Sequence, residues 1–239
     1  MLNLKNPNLL RKQSYINGQW SDADSGNTLD VTNPANGEVV ATIASCGADE
    51  TRRAIEAANA AWPAWRDLTV KERAKVLRDW YNLIIDNVDD LAAILTAEQG
   101  KPLSEARTEI IYGANYLEWF SEEAKRVYGD VIAPPSKDKR IVVVKQPVGV
   151  TASITPWNFP SAMIARKVAP ALATGCTFVS KPASETPLSA LAMAVLAEQA
   201  GVPKGVFNVV VGKSSREIGA EMTGNPLVRK FTFTGSTAV

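Results

Sequence analysis

Hydrophobic and polar positions change rhythm twice along the chain. Over the first 47 residues they alternate in short runs broken by turn residues, which predicts strands and hairpins. YINGQW carries Asn17-Gly18, the strongest two-residue hairpin signal, and VTNPANGEVVATIAS repeats the pattern with Pro34 and Asn36-Gly37 ahead of an alternating strand. From Ala48 the period lengthens to that of a helix. ADETRRAIEAANAAWPAWRDL predicts one helix, capped at Asp49. KERAKVLRDWYNLIIDNVDDLAAILTAEQG predicts one or two amphipathic helices ending at Gly100, and LSEARTEIIYGANYLEWFSEEAKRVYG a further long one closed by Gly129. DVIAPPSKDKRIVVVKQPVGV then predicts two strands about a polar loop. Such an arm either pairs with another subunit or lies as a plain surface hairpin.

The second change comes at Gly149, where short apolar strands alternate with helices. GVTASITP, CTFVSKP, GVFNVVV and KFTFTG read as strands, and SAMIARKVAPALATG, LSALAMAVLAEQAG and SREIGAEMTG as the helices between them. That order predicts an α/β fold: a Rossmann-like parallel sheet flanked by helices, joined by right-handed crossovers. Ligands of such sheets bind outside the carboxyl ends of the strands. The rule directs attention to the loops after Ile154, Ser180, Val211 and Phe233.

Composition narrows the functions. Lys plus Arg is 26 against 25 Asp plus Glu, a net charge of +1, which argues against nucleic acid or a membrane surface as partner. No apolar run reaches the ~18 residues of a membrane span. MLNLKNPNLLRKQS lacks the apolar core of a signal peptide, so a cytoplasmic location is expected. The chain has no histidine, which excludes His-based triads and His-based metal sites within it. No metal is expected. The two cysteines, Cys46 and Cys176, form no C-x-x-C, and both read as packed thiols rather than nucleophiles. VVVGKSS tempts a P-loop reading, but the pattern needs glycine where Phe207 stands, and G-x-G-x-x-G is absent.

Four loops remain. TPWNFP, Thr155 to Pro160, is stiffened by two prolines and offers the Asn158 amide to a developing oxyanion; the alternative is a rigid connection with Asn158 as N-cap. VSKPASETP places Lys181 and Ser184 at the next strand end, for phosphate or ribose, or as a merely solvated lysine. KSSREIG, with Gly212 and Gly219 around it, and FTGS complete the edge. Arg166, on the helix after TPWNFP, is either a snorkelling surface residue or a bidentate clamp for a carboxylate.

TPWNFP, SKPASETP and FTFTGST together resemble the NAD(P)-dependent aldehyde dehydrogenase superfamily, and ADETRRAIEAANAAWPAWR, AEQGKPLSEA and NPLVRKFTFTGST extend the resemblance over nearly the whole chain. YLEWFSEEAKRVYGD, ITPWNFPSAMIARKVAPALATGCT and GVPKGVFNVV point to its succinate-semialdehyde branch. The resemblance implies oxidation of succinate semialdehyde to succinate, with glutarate semialdehyde or an uncharged aldehyde as the alternative. It makes Asn158 the catalytic oxyanion donor and Arg166 the residue holding the substrate carboxylate. It assigns the cofactor to Ile154, Thr155, Pro156, Trp157 and Asn158 on the nicotinamide side. Lys181, Pro182, Ala183 and Ser184 take the ribose, with Gly212, Gly219 and Phe233 along the wall and Gly235 and Ser236 at the pyrophosphate.

Family members preferring NAD often carry glutamate at position 184. Its carboxylate would repel a 2′-phosphate by about 4 kcal/mol at ~4 Å and an effective dielectric of about 20. Serine there favours NADP, with NAD as the alternative; Glu185 could soften the preference. The resemblance also divides the chain. Residues 1–128 are the N-terminal strands and helices of the cofactor domain, 129–148 an oligomerisation hairpin of a dimer or tetramer, and 149–239 incomplete βα units. The family's pyrophosphate turn runs on to a further glycine, followed downstream by a general-base glutamate in an E-L-G-G run and a nucleophilic cysteine. None of these lies within the 239 residues, so the chain is expected to be the front part of a larger enzyme and inactive alone. The rival from another class is a non-catalytic nucleotide-binding or oligomerising module.

Overall fold

The computed structural model describes residues 2–237. β1 (Ser14–Ile16) and β2 (Gln19–Ser21) form the first hairpin, turning at Asn17 and Gly18 with φ of 51° and 72°. Two successive positive φ values are what the tight turn of a twisted two-residue hairpin requires. β3 (Thr28–Thr32) and β4 (Val39–Ala44) pair antiparallel in a separate ribbon.

Four helices follow: α1 (Ala48–Arg66), α2 (Val70–Asp86), α3 (Val88–Gln99) and α4 (Leu103–Glu123). Asp49 is not the cap of α1. The helix starts one residue earlier, and the Gly47 N–H donates to the Glu50 carboxylate at 2.7 Å, while Asp49 pairs with Arg52. α2 opens on a reciprocal box, with Thr69 N donating to Glu72 and Glu72 N donating to Thr69. α3 ends as expected at Gly100, whose φ of 89° is left-handed. Gly129 does not close α4. The helix stops at Glu123 and a 3-10 turn carries it to Arg126. Gly129 instead lies against the arm, where a Cβ would collide with the Val143 carbonyl. The arm itself is β5 (Asp130–Ile132) paired antiparallel with β6 (Ile141–Val143).

The remaining chain alternates as the sequence predicts: β7 (Val150–Ile154), α5 (Pro160–Ala173), β8 (Thr177–Lys181), α6 (Leu188–Gln199), β9 (Phe207–Val209), α7 (Ser215–Gly224) and β10 (Val228–Phe233). The main sheet has the order β10-β7-β8-β9-β1-β2. Its first four strands are parallel, but β1 joins β9 antiparallel and carries β2 with it, so the sheet is mixed rather than purely parallel. Alternate residues of the strands feed two cores. Phe178, Val209 and Val211 face a cluster that includes α5, α6 and the outer helices α2, α3 and α4, while Val179 and Val210 face α1 and α7. α6 is apolar nearly all round, LSALAMAVLA, and every one of those residues is buried. The layers leave the carboxyl edge of the parallel strands free for loops.

Candidate functional site

Backbone pairing brings the four loops to one edge. Thr155 N donates to Lys181 O at 3.2 Å, Thr234 N to Ile154 O at 3.2 Å, and Val210 N to Ser180 O at 2.9 Å. The loops therefore leave adjacent strands at nearly the same level, on the side where such sheets hold ligands.

In the first loop Thr155 is buried, Ile154 and Pro156 are half-buried, and Trp157, Asn158 and Phe159 are exposed before Pro160 enters the first turn of α5. Asn158 is not the N-cap; that position falls to Phe159, whose side chain has no oxygen to offer. The free N–H groups of the helix are met from elsewhere, by Glu109, which accepts from Ser161 N at 3.0 Å and Ala162 N at 3.3 Å. The Asn158 side-chain amide makes no hydrogen bond among the described residues, and its backbone carbonyl accepts from Lys101 Nζ at 3.0 Å. The loop is held by its backbone, and the amide is left for something else.

Lys181 is not a solvated strand end. It is 1% exposed, and its ammonium donates to the Pro182 carbonyl at 3.1 Å. Burial pushes its pKa below the usual lysine value, and the nearby Glu185 charge opposes that. Pro182 is buried and Ala183 half-buried. Ser184 is half-buried too, and its hydroxyl donates to Glu185 at 3.1 Å. Trp157, Ser184 and Lys213 border one cleft of about 420 Å³.

The glycines divide by what surrounds them. At Gly212 a Cβ would collide with the Cys46 carbonyl, because Cys46 N donates to Val211 O and draws the 44–47 segment across the sheet end. At Gly219, inside α7, a Cβ would sit 3.5 Å from Ile154 Cδ1, an ordinary packing distance. Both glycines have a packing reason beside the ligand role the resemblance gives them. Gly235 lets the chain fold back over the exposed Phe233 ring, and Ser236 is exposed. Ala238 and Val239, the last residues of the expected pyrophosphate turn, lie outside the described residues.

Arg166 is exposed on α5, with its guanidinium 5.3 Å from the Tyr116 ring centroid and no carboxylate partner among the described residues. It borders a cleft of about 760 Å³ along α5 and β10 that neither Asn158 nor Lys181 lines. This cleft and the Asn158–Lys181 part of the loop edge are therefore separate regions, joined through α5. Lys167, beside Arg166, donates to Thr234 Oγ1 at 2.6 Å; burial first, then the Arg166 charge, lowers its pKa.

Both thiols are buried and unpaired. Burial pushes Cys46 up to about 11, against the hydrogen bond with Ser14. A protonated, enclosed thiol is a poor nucleophile. Among the described residues no group of three His, Cys, Asp or Glu side chains could hold a metal, and no helix is long and apolar enough to cross a membrane.

Two residues escape a reading of the loops alone: Lys101 and Glu109. A signal exists for the second. Ala106, Ile110, Gly113, Ala114 and Leu117 form the buried stripe of α4, and Glu109 falls on that stripe. A carboxylate there needs a partner.

The family model for the aldehyde dehydrogenase family matches residues 20–239. The chain is 63% identical over 238 residues to a glutarate-semialdehyde dehydrogenase of Pseudomonas aeruginosa, covering all of this chain and 49% of that protein. It is 61% identical over 238 residues to the NADP(+) succinate-semialdehyde dehydrogenase GabD of Escherichia coli, again with all of this chain and 49% of the relative. A crystal structure of an E. coli NADP-dependent enzyme superposes with a TM-score of 0.98 at 61% identity, over 99% of this chain and 49% of that one. The chain thus spans about half the length of the relatives it matches. A family match over most of the sequence, and a nearly superposable fold, leave one assignment: this chain belongs to the aldehyde dehydrogenase family.

Proposed function

We propose that the chain supplies the cofactor wall and the oxyanion donor of a dehydrogenase that oxidises an acidic semialdehyde with NADP. Succinate semialdehyde is the first candidate and glutarate semialdehyde the second; the named relatives act on both kinds. The observation that carries the reading is the Asn158 amide, exposed and internally unpartnered on a loop whose backbone is fixed. A donor held in advance costs no reorganisation when charge develops on the aldehyde oxygen. Asn158 Nδ2–H would donate to that oxygen as a nucleophile adds to the carbonyl carbon. Arg166, lacking an internal carboxylate partner, would hold the distal carboxylate of the substrate.

The edge suits a dinucleotide. Lys181 is a buried cation with a single carbonyl partner, and such a group gains from a hydroxyl or phosphate oxygen. Ser184 leaves room for a 2′-phosphate beside it. Lys181, Pro182, Ala183 and Ser184 would hold the ribose, Gly235 and Ser236 the pyrophosphate, and Ile154 to Trp157 the nicotinamide, which when bound supplies the hydride acceptor. Gly212, Gly219 and Phe233 would complete the wall.

Both cysteines are enclosed, so the nucleophile of this reaction is not among these residues. The 129–148 arm would serve assembly into a homo-oligomer: Val131 is 83% exposed, and Val142 and Val144 stand out from the same hairpin. The reading also places the enzyme in the cytoplasm. Calorimetric titration of this chain with NADP, followed by addition of succinate semialdehyde, is the test. Saturable binding without turnover is expected. Absence of NADP binding, or turnover by the 239 residues alone, contradicts the division of labour.

A further inference from the structure

Lys101 opens the turn after α3, and Glu109 lies two turns into α4; neither is near TPWNFP in sequence. Lys101 Nζ meets Glu109 Oε2 at 2.5 Å, with the two side chains only 10% and 1% exposed. Each partner then reaches the Asn158 loop from a different side. Lys101 donates to the Asn158 carbonyl at 3.0 Å, and its ammonium lies 4.1 Å from the Phe159 ring centroid. Glu109 spends its other oxygen on the N–H groups of Ser161 and Ala162, at 3.0 and 3.3 Å. The α4–α5 crossing that permits this is close: at Gly113 a Cβ would come within 3.2 Å of Ala162 Cα.

We infer that Lys101 and Glu109 are positioning residues for Asn158, an inference that rests on the oxyanion role proposed above. Removing two charges from water is costly, and a buried pair is often no more stabilising than packed apolar side chains. What this pair adds is direction. Its cation faces a carbonyl and its anion faces helix N–H groups, so it fixes the backbone on both sides of Phe159-Pro160 and with it the base of the Asn158 side chain. Neither residue touches the reacting atoms.

The test uses Lys101→Met, Glu109→Gln and the charge-retaining Lys101→Arg. In the full-length dehydrogenase, kcat for succinate semialdehyde should fall roughly 10- to 100-fold in the first two, the scale of a misplaced catalytic group. KM and the Kd for NADP should stay within about threefold, and Lys101→Arg should keep most of the rate. A kcat that does not change, or one that falls together with substrate and NADP affinity, overturns the inference. Amide exchange on this chain separates the inference from the reading beneath it. Glu109→Gln should speed exchange at Ser161 and Ala162 about tenfold or more, and unchanged exchange overturns the pair's role even if the unsubstituted enzyme oxidises no semialdehyde. That last outcome would defeat the proposed function and leave the exchange result to decide the pair.

Discussion

The Arg166 guanidinium lies 5.3 Å from the ring centroid of Tyr116, and the Tyr116 hydroxyl in turn shares a 2.5 Å hydrogen bond with that of Tyr112. A cation on an aromatic face is oriented without being neutralised. It stays available to a carboxylate. If Arg166 holds the substrate carboxylate as proposed, Arg166→Ala in a dehydrogenase carrying this chain should raise KM for succinate semialdehyde by about 10- to 100-fold, from losing a charge-assisted pair of about 1.5–3 kcal/mol. KM for an uncharged aldehyde should barely move. Tyr116→Leu should show a weaker form of the same split, and equal effects on both aldehydes would remove the clamp.

In the proposed cofactor site Ser184 would border the ribose, where a glutamate carboxylate would meet the 2′-phosphate of NADP. Ser184→Glu should weaken NADP binding by roughly 10- to 100-fold, less than the full Coulomb figure because the site is half-exposed and screened. NAD binding should hold or improve. Titration of both cofactors against both proteins checks this, and an unchanged NADP affinity would show that Glu185 or another group sets the preference.

Cys46 is enclosed beside Ser14, with its thiol pushed up to about 11, and Cys176 is buried at the start of β8. Neither should react with Ellman's reagent in the native protein at pH 8. Both should react once the chain is unfolded in guanidinium. A fast native thiol would reopen the question of the nucleophile.

Glu98 caps α6 from a distance, accepting from Leu188 N at 2.7 Å and Ser189 N at 2.8 Å. Burial pushes its pKa up from 4.5 to about 8, against those hydrogen bonds. Between these two values the folded chain retains a proton that the unfolded chain has released. The contribution of Glu98 to stability is then complete below about pH 4.5 and declines as pH rises toward 8. Relative to Glu98→Gln, the wild type should lose stability over that window in urea titrations. A difference that stays flat across the window would mean the carboxylate is already ionised in the folded chain.

Local chemistry was legible in the sequence and non-local pairing was not. Asn17-Gly18 announced its hairpin because the turn depends on two residues only. The βα alternation after Gly149 gave the parallel strands and the edge they share, since period and length carry that information. That β1 would pair with β9, Tyr15 opposite Val209, depends on a contact across most of the chain that no local pattern encodes. Gly129 looked like a helix stop because glycine often is one, yet its place is fixed by the strand it lies against. The site shows the same division. Asn158, Lys181 and Ser184 can be proposed from their loops alone, whereas Lys101 and Glu109 reach the Asn158 loop and the start of α5 from two other segments.

The free Asn158 amide is proposed to receive the developing oxyanion. Asn158→Ala in a dehydrogenase carrying this chain, assayed for NADP-dependent oxidation of succinate semialdehyde, decides it. kcat should fall roughly 100- to 1000-fold, the scale for removing one oxyanion donor, and by far more than NADP affinity falls. A rate within about threefold of the unsubstituted enzyme would contradict it.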